Sequence, residues 1–124
     1  MIVLDASVLI AYLDSDDALH ADARALLEAA ADEELVVSTI TLAEVLVGPA
    51  RLGVEQRVLA ALRELDVIEV PLPPSAATQL ASLRIETGLK LPDCCVLLLA
   101  VHNHGRIASF DSRLNREASR LGIA

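Results

Sequence analysis

Short apolar runs alternate with helical periodicities from one end of the chain to the other. Residues 2–5 open with Ile2-Val-Leu4, a continuous apolar run of the kind a strand buried on both faces shows. Residues 6–13 follow as an apolar helix. Leu19, Ala23, Leu26, Leu27 and Ala30 recur at helical spacing and predict a second helix near 18–31. Leu35-Val-Val-Ser38 is the next strand. A helix then opens at Thr41 and should falter at Gly48-Pro49, because proline removes a backbone donor and clashes with the preceding turn. Val54, Val58, Ala61, Leu62 and Leu65 mark another amphipathic helix, and Val67-Ile-Glu-Val70 a third strand closed by Pro71. Ser75 to Thr87 reads as helix with Gly88 as its cap. Pro92 suits the first turn of a helix that ends near Gly105. Arg106 to Ser109 is a strand, and Ser112 to Leu121 a last helix stopped by Gly122.

Strands separated by ten or more helical residues pair in parallel through right-handed crossovers. The pattern therefore predicts an α/β fold, a three-layer α/β/α sandwich around a parallel sheet of four strands, with a short fifth as an option. A chain of 124 residues fits one domain, 1–124, and needs no disulfide or metal staple to fold. Although 54% of the residues are hydrophobic, no apolar run approaches the roughly 18 residues that span a bilayer. The longest, Cys94 to Val101, reads as a buried helix. The strand pattern starts at once, with no charged-then-apolar leader, so a cytoplasmic protein is expected. Cys94 and Cys95 are adjacent and poorly placed to bridge each other, which makes them core residues rather than a disulfide framework.

Four acidic residues punctuate this pattern where strands should end and helices begin: Asp5, Glu44, Asp93 and Asp111. In a parallel α/β fold such joints gather at one edge of the sheet, where ligands bind. Each acid has a bland alternative. Thr41-Leu-Ala-Glu44 has the form of a capping box, and Asp111 that of an N-cap. Asp93 follows Pro92 in a first turn, where the helix dipole favours negative charge. Asp5 is harder to excuse, since it lies between an apolar strand and an apolar helix, where an unpaired charge is costly. Taken together, the four would repel one another unless a cation lay between them. Mg²⁺ or Mn²⁺ prefers oxygen ligands, keeps several waters, and is held by one or two carboxylates plus substrate phosphate. The chemistry this points to is metal-dependent phosphodiester hydrolysis.

Charge and aromatic content narrow the picture. The net charge of −8 argues against a broad basic grip on nucleic acid and in favour of a basic partner, although a bound dication would reverse the sign locally. With aromatics at 2%, a base-stacking platform is not expected. Arg113 and Arg116 flank Asp111 and could touch phosphate, or could be solvated helix-face charge. His20, His102 and His104 have no zinc-like spacing, and Asp14, Asp16 and Asp17 read as a solvated loop cluster.

In order and spacing, Ile2-Val-Leu-Asp5-Ala-Ser7, Ser38-Thr-Ile-Thr-Leu-Ala-Glu44-Val, Leu91-Pro-Asp93 and Ala108-Ser-Phe-Asp111-Ser-Arg-Leu114 resemble the PIN domain. More narrowly they are similar to VapC-type toxins of bacterial type II toxin–antitoxin modules. The resemblance implies sheet order 3-2-1-4-5 and an Mg²⁺-dependent endoribonuclease, with Mn²⁺ able to substitute. It implies Asp5 and Asp93 as main metal ligands, with Glu44 and Asp111 completing the acidic pocket directly or through water. Ser7 and Ser109 match small hydroxyl positions that shape such pockets. It further implies a VapB-type antitoxin with a basic tail, a homodimer, and larger toxin–antitoxin assemblies. Cys94 stands where alanine is common, and no catalytic role is expected for it. The rival readings are weaker. A phosphoacceptor receiver needs an acidic pair after the first strand, and a phosphatase with an aspartyl nucleophile needs a second Asp at position 7, where Ser7 stands. A PIN-like module that binds RNA or protein without cutting is the remaining alternative.

Overall fold

The structure, a computed structural model, describes residues 1–124. The chain runs β1 (Ile2–Leu4), α1 (Ala6–Leu13), α2 (His20–Ala29), β2 (Leu35–Ser38), α3 (Thr39–Arg51), α4 (Glu55–Glu64), β3 (Val67–Val70), α5 (Ala76–Thr87), α6 (Leu91–His102), β4 (Arg106–Ala108) and α7 (Ser112–Arg120). Four parallel strands pair in the order β3-β2-β1-β4. Val3 lies between Val36 on one side and Ile107 on the other, which fixes the register of the central strands.

Alternation along the strands separates two cores. Ile2, Leu4, Leu35 and Val37 face α1, α2, α3 and α4, while Val3, Val36 and Ile107 face α6 and α7. Helices therefore cover both faces of the sheet, the three-layer arrangement predicted from the alternating pattern. β1 is fully buried, as its unbroken apolar run requires. β3 is an edge strand and reads accordingly, with Ile68 and Glu69 exposed. In α6, Cys94 to Ala100 are all buried, so the two cysteines are free core thiols.

Three local expectations are corrected. First, α3 begins at Thr39, not Thr41. Its N-cap is Ser38, whose hydroxyl accepts from the Thr41 N–H at 3.1 Å. The capping-box reading of Thr41 and Glu44 therefore fails, because Glu44 lies beyond the first turn. Second, α3 does not falter at Gly48-Pro49 but continues to Arg51. Pro49 falls in the last turn, so its missing N–H forfeits one bond and only two helical residues lie beyond it to be disturbed. Third, no fifth strand joins the sheet. After α7 the chain turns at Gly122 (φ +79°), Ile123 buries into the core, and the Ala124 carbonyl accepts from Ile107 N at 3.3 Å. That is one backbone bond beside β4, where a fifth strand would lie, and a strand needs a ladder of them.

Candidate active site

The expectation that all four acids stand at strand-to-helix joints holds for Asp5 and Asp111 and is corrected for the other two, since Glu44 lies in the second turn of its helix and Asp93 follows helix α5 rather than a strand. Asp5 follows β1, Glu44 projects from α3 after β2, Asp93 occupies the first turn of α6, and Asp111 follows β4. Their electrostatic coupling shows which of them are neighbours. Burial pushes the Asp93 carboxyl above its ordinary range, and the charges of Asp5 and Asp111 push it further. Partial burial of its carboxyl end likewise raises Glu44, although the residue as a whole is exposed, and Asp5 and Asp93 add to the effect. Asp93 is thus coupled to all three of the others, Asp5 and Glu44 also feel each other, and Asp111 is coupled through Asp93.

Asp5 is the most enclosed of the four, at 6% exposure. It occupies the N-cap position of α1, yet its carboxylate makes no capping bond. Instead Oδ2 accepts the hydroxyls of Ser7 and Ser109, each at 2.7 Å. The same hydroxyl oxygens receive backbone donors in turn: Phe110 N–H donates to Ser7 Oγ at 3.0 Å and Asp111 N–H to Ser109 Oγ at 2.9 Å. Asn115 closes the loop by donating to the Ser109 carbonyl at 2.9 Å. Residues more than a hundred positions apart are thereby tied, and the β1–α1 joint is fixed against the β4–α7 joint. Both serines therefore sit in the pocket and position Asp5.

Asp111 does cap its helix, with Oδ1 accepting from Arg113 N at 2.9 Å and Leu114 N at 3.1 Å. Its bland reading is correct, and its second oxygen remains available. Asp5 Oδ1 and the carboxylates of Glu44 and Asp93 have no hydrogen bond or ion pair within the protein; the ion pairs all lie elsewhere. Unpartnered, mutually repelling oxygens from separate elements are a hard-donor set, which suits Mg²⁺ or Mn²⁺. No group of three or more acidic, histidine or cysteine side chains is arranged to hold an ion by itself. Asp5, Asp93 and Asp111 are therefore coupled neighbours rather than a closed ligand cage. A dication that keeps much of its water shell and shares one or two carboxylates fits this arrangement, whereas a dehydrated multi-carboxylate site does not.

The two arginines separate. Arg113 Nη2 donates to the Gly88 carbonyl at 3.3 Å and its charge bears on Asp93, as does that of Lys90. Arg116 is exposed on α7 and its charge bears on neither Glu44 nor Asp93. Lys90 was not among the residues expected in the pocket. Its signal in the sequence was its place as the only lysine, three residues before an acid in a helix-opening segment. Asp14 and Asp17 cap turns through the backbone N–H groups of Asp16 and Leu19, away from this site.

No curated relative matches the chain. Among solved structures it is similar to Mycobacterium tuberculosis VapC20, described as a sarcin-ricin loop cleaving toxin. The TM-score is 0.78 at 17% identity, over 94% of this chain and 95% of that one. It is also similar to a chain of a toxin–antitoxin complex from Klebsiella pneumoniae, with a TM-score of 0.73 at 28% identity, over 90% of this chain and 88% of that one. The PIN domain model matches residues 2–119, a span that holds all four acids and every strand of the sheet. On that match, and on the fold and acidic rim described above, the chain belongs to the PIN domain family.

Proposed function

We propose that this chain is the toxin of a toxin–antitoxin module, a metal-dependent endoribonuclease held in check by a cognate antitoxin. The observation that carries the reading is the set of mutually coupled carboxylates with no protein partner, Asp5 Oδ1, Glu44 and Asp93, delivered by three separate elements of the fold. A folded protein gains nothing in stability from crowding them, so their natural counterpart is a cation. A bound Mg²⁺ or Mn²⁺ would acidify a water and offset charge on the phosphate oxygens. Asp5, held rigid by Ser7 and Ser109, and Asp93, on a buried helix, would be its protein ligands. Asp111 would contribute the oxygen not used for capping, directly or through water. Glu44 reaches in from the exposed side with a raised affinity for protons, which suits it to orient a water and accept its proton.

RNA as substrate class is supported by the family and by the description of one structural neighbour as a sarcin-ricin loop cleaving toxin. An antitoxin is supported by the toxin–antitoxin neighbour and by the net charge of −8, which suits a basic tail. The tail's apolar residues would find a groove of about 410 Å³ between α1 and the α3–α4 turn, lined by Ile10, Leu13, Val45, Leu52 and Val58. Leu52 is 79% exposed there. A homodimer in the cytoplasm, assembled with antitoxin, completes the proposal.

The test is to incubate purified protein with cellular RNA in Mn²⁺ or in EDTA and map new RNA ends. Wild type is expected to cut at defined sites only with metal, and Asp5→Asn to lose the activity. Cleavage undiminished in Asp5→Asn sinks the assignment of the site. RNA binding by wild type without cleavage under any metal condition makes the chain a binding module instead.

A further inference from the structure

The acidic rim is not uniformly acidic. Of the ten basic residues, Lys90 and Arg113 are the two whose charges bear on Asp93, and none bears on Glu44. They arrive from different elements, Lys90 as the N-cap residue of α6 and Arg113 from the first turn of α7. Neither is used up in an ion pair, although Arg24, Arg106 and Arg120 all are. The Lys90 ammonium has no hydrogen-bond partner. Arg113 spends one N–H on the Gly88 carbonyl, leaving the rest of its donor fork open.

That single bond ties the Arg113 side chain to the segment that carries Lys90. Gly88 caps α5 in the left-handed region (φ +70°), two residues before Lys90. A Cβ at Gly88 would lie 3.2 Å from Arg113 Nη2, so the guanidinium passes close over this turn, whose positive φ favours glycine. The α5–α6 joint thus holds the Arg113 guanidinium two residues from Lys90, and both charges bear on Asp93. Single-stranded RNA carries a negative charge at every linkage, and on a chain at −8 its approach to the acidic site is favoured where unpaired cations lie beside the carboxylates.

We propose that Lys90 and Arg113 form a two-cation rim that grips a backbone phosphate next to the scissile one, so that the RNA strand crosses the pocket on its α6–α7 side. This rests on RNA being the ligand, and deepens that reading by giving the strand a path. The guanidinium offers bidentate geometry to phosphate oxygens and the ammonium a point charge. Both act on binding and orientation; neither is placed to take part in bond cleavage.

The probe is a fluorescein-labelled single-stranded RNA of mixed sequence, followed by anisotropy in Ca²⁺ over a salt series. Lys90→Gln and Arg113→Gln are each expected to weaken binding several-fold at low salt and to reduce the salt slope by about 0.7, the loss of one phosphate contact. Lys90→Arg should restore both, and Arg116→Gln, the same loss of charge one turn away on α7, should change neither. Thermal melting of each variant separates misfolding from lost contact. In a second arm, cleavage is read on oligonucleotides with one neutral methylphosphonate linkage moved along the chain. Wild type should be sensitive at one linkage beside the cut, and the Arg113→Gln enzyme should have lost that particular sensitivity. Unchanged anisotropy in both Gln variants, or an equal loss in Arg116→Gln, overturns the rim. If wild type never cleaves while the anisotropy losses stand, the nuclease reading fails and the rim survives as an RNA contact.

Discussion

At the scale of single residues, the four acids look alike in sequence and are held in different ways. Asp111 does two jobs with two oxygens: Oδ1 caps α7, and the other oxygen is left for the pocket. The two jobs can be separated, because asparagine caps a helix about as well as aspartate, whereas alanine costs about 1 kcal/mol. Asp111→Asn is therefore expected to unfold in urea like wild type, and Asp111→Ala about 1 kcal/mol more easily. Both should lose metal-dependent cleavage to a similar extent. Full activity in Asp111→Asn would leave this residue with its capping role alone. Asp5, by contrast, has no capping bond and is fixed by two hydroxyls from opposite ends of the chain.

At the scale of elements, the joints between strands and helices matter more than the elements themselves. Ser38 ends β2 and starts α3, and its fully buried hydroxyl accepts the Thr41 N–H while donating to Thr41 Oγ1 at 3.1 Å. Both partners are shut off from water, so losing the hydroxyl leaves a buried N–H without an acceptor. Ser38→Ala should destabilise the protein by about 1–2 kcal/mol in urea titration. It should also blunt cleavage, because the same cap sets the angle at which α3 delivers Glu44. A variant with normal activity and a destabilisation well under 1 kcal/mol would show that the joint is held by packing instead.

At the scale of the whole molecule, the fold stores repulsion at one edge of its sheet. The Asp93 and Glu44 carboxyls are raised by burial and by neighbouring negative charge. A carboxyl whose folded-state pKa lies above its unfolded value binds protons more readily when folded. It therefore opposes folding at neutral pH, and this opposition fades as pH falls through the folded value toward the unfolded one. In the absence of metal, Asp93→Asn should be more stable than wild type at neutral pH, with the advantage shrinking as the solution is acidified. A dication should remove the same repulsion. Mn²⁺ is expected to raise the melting temperature of wild type, reaching about 2.7 kcal/mol of stabilisation at a hundredfold excess over its dissociation constant. The shift should be much smaller in Asp93→Asn. Calorimetric melting against pH and Mn²⁺ checks both, and an Mn²⁺ response equal in the two proteins would separate the metal from this carboxylate.

The alternation of apolar runs by itself determined the four strands, the helices between them and the sheet's parallel pairing, because burial on two faces leaves few alternatives for so short a chain. It also put Asp5 and Asp111 at strand ends. Only the tertiary structure decided how they are held. The bonds that orient Asp5 join Ser7 to Ser109, a separation no local pattern carries. The bond that holds Arg113 runs to the left-handed turn at Gly88, twenty-five residues away in sequence. Likewise Ser38 displaced Thr41 as the cap of α3, since both residues have the right chemistry and only the end of the strand settles which one stands at the first turn. Local spacing fixes which residues reach the rim, whereas the contacts among them are long-range, and their geometry exists only once the sheet has closed.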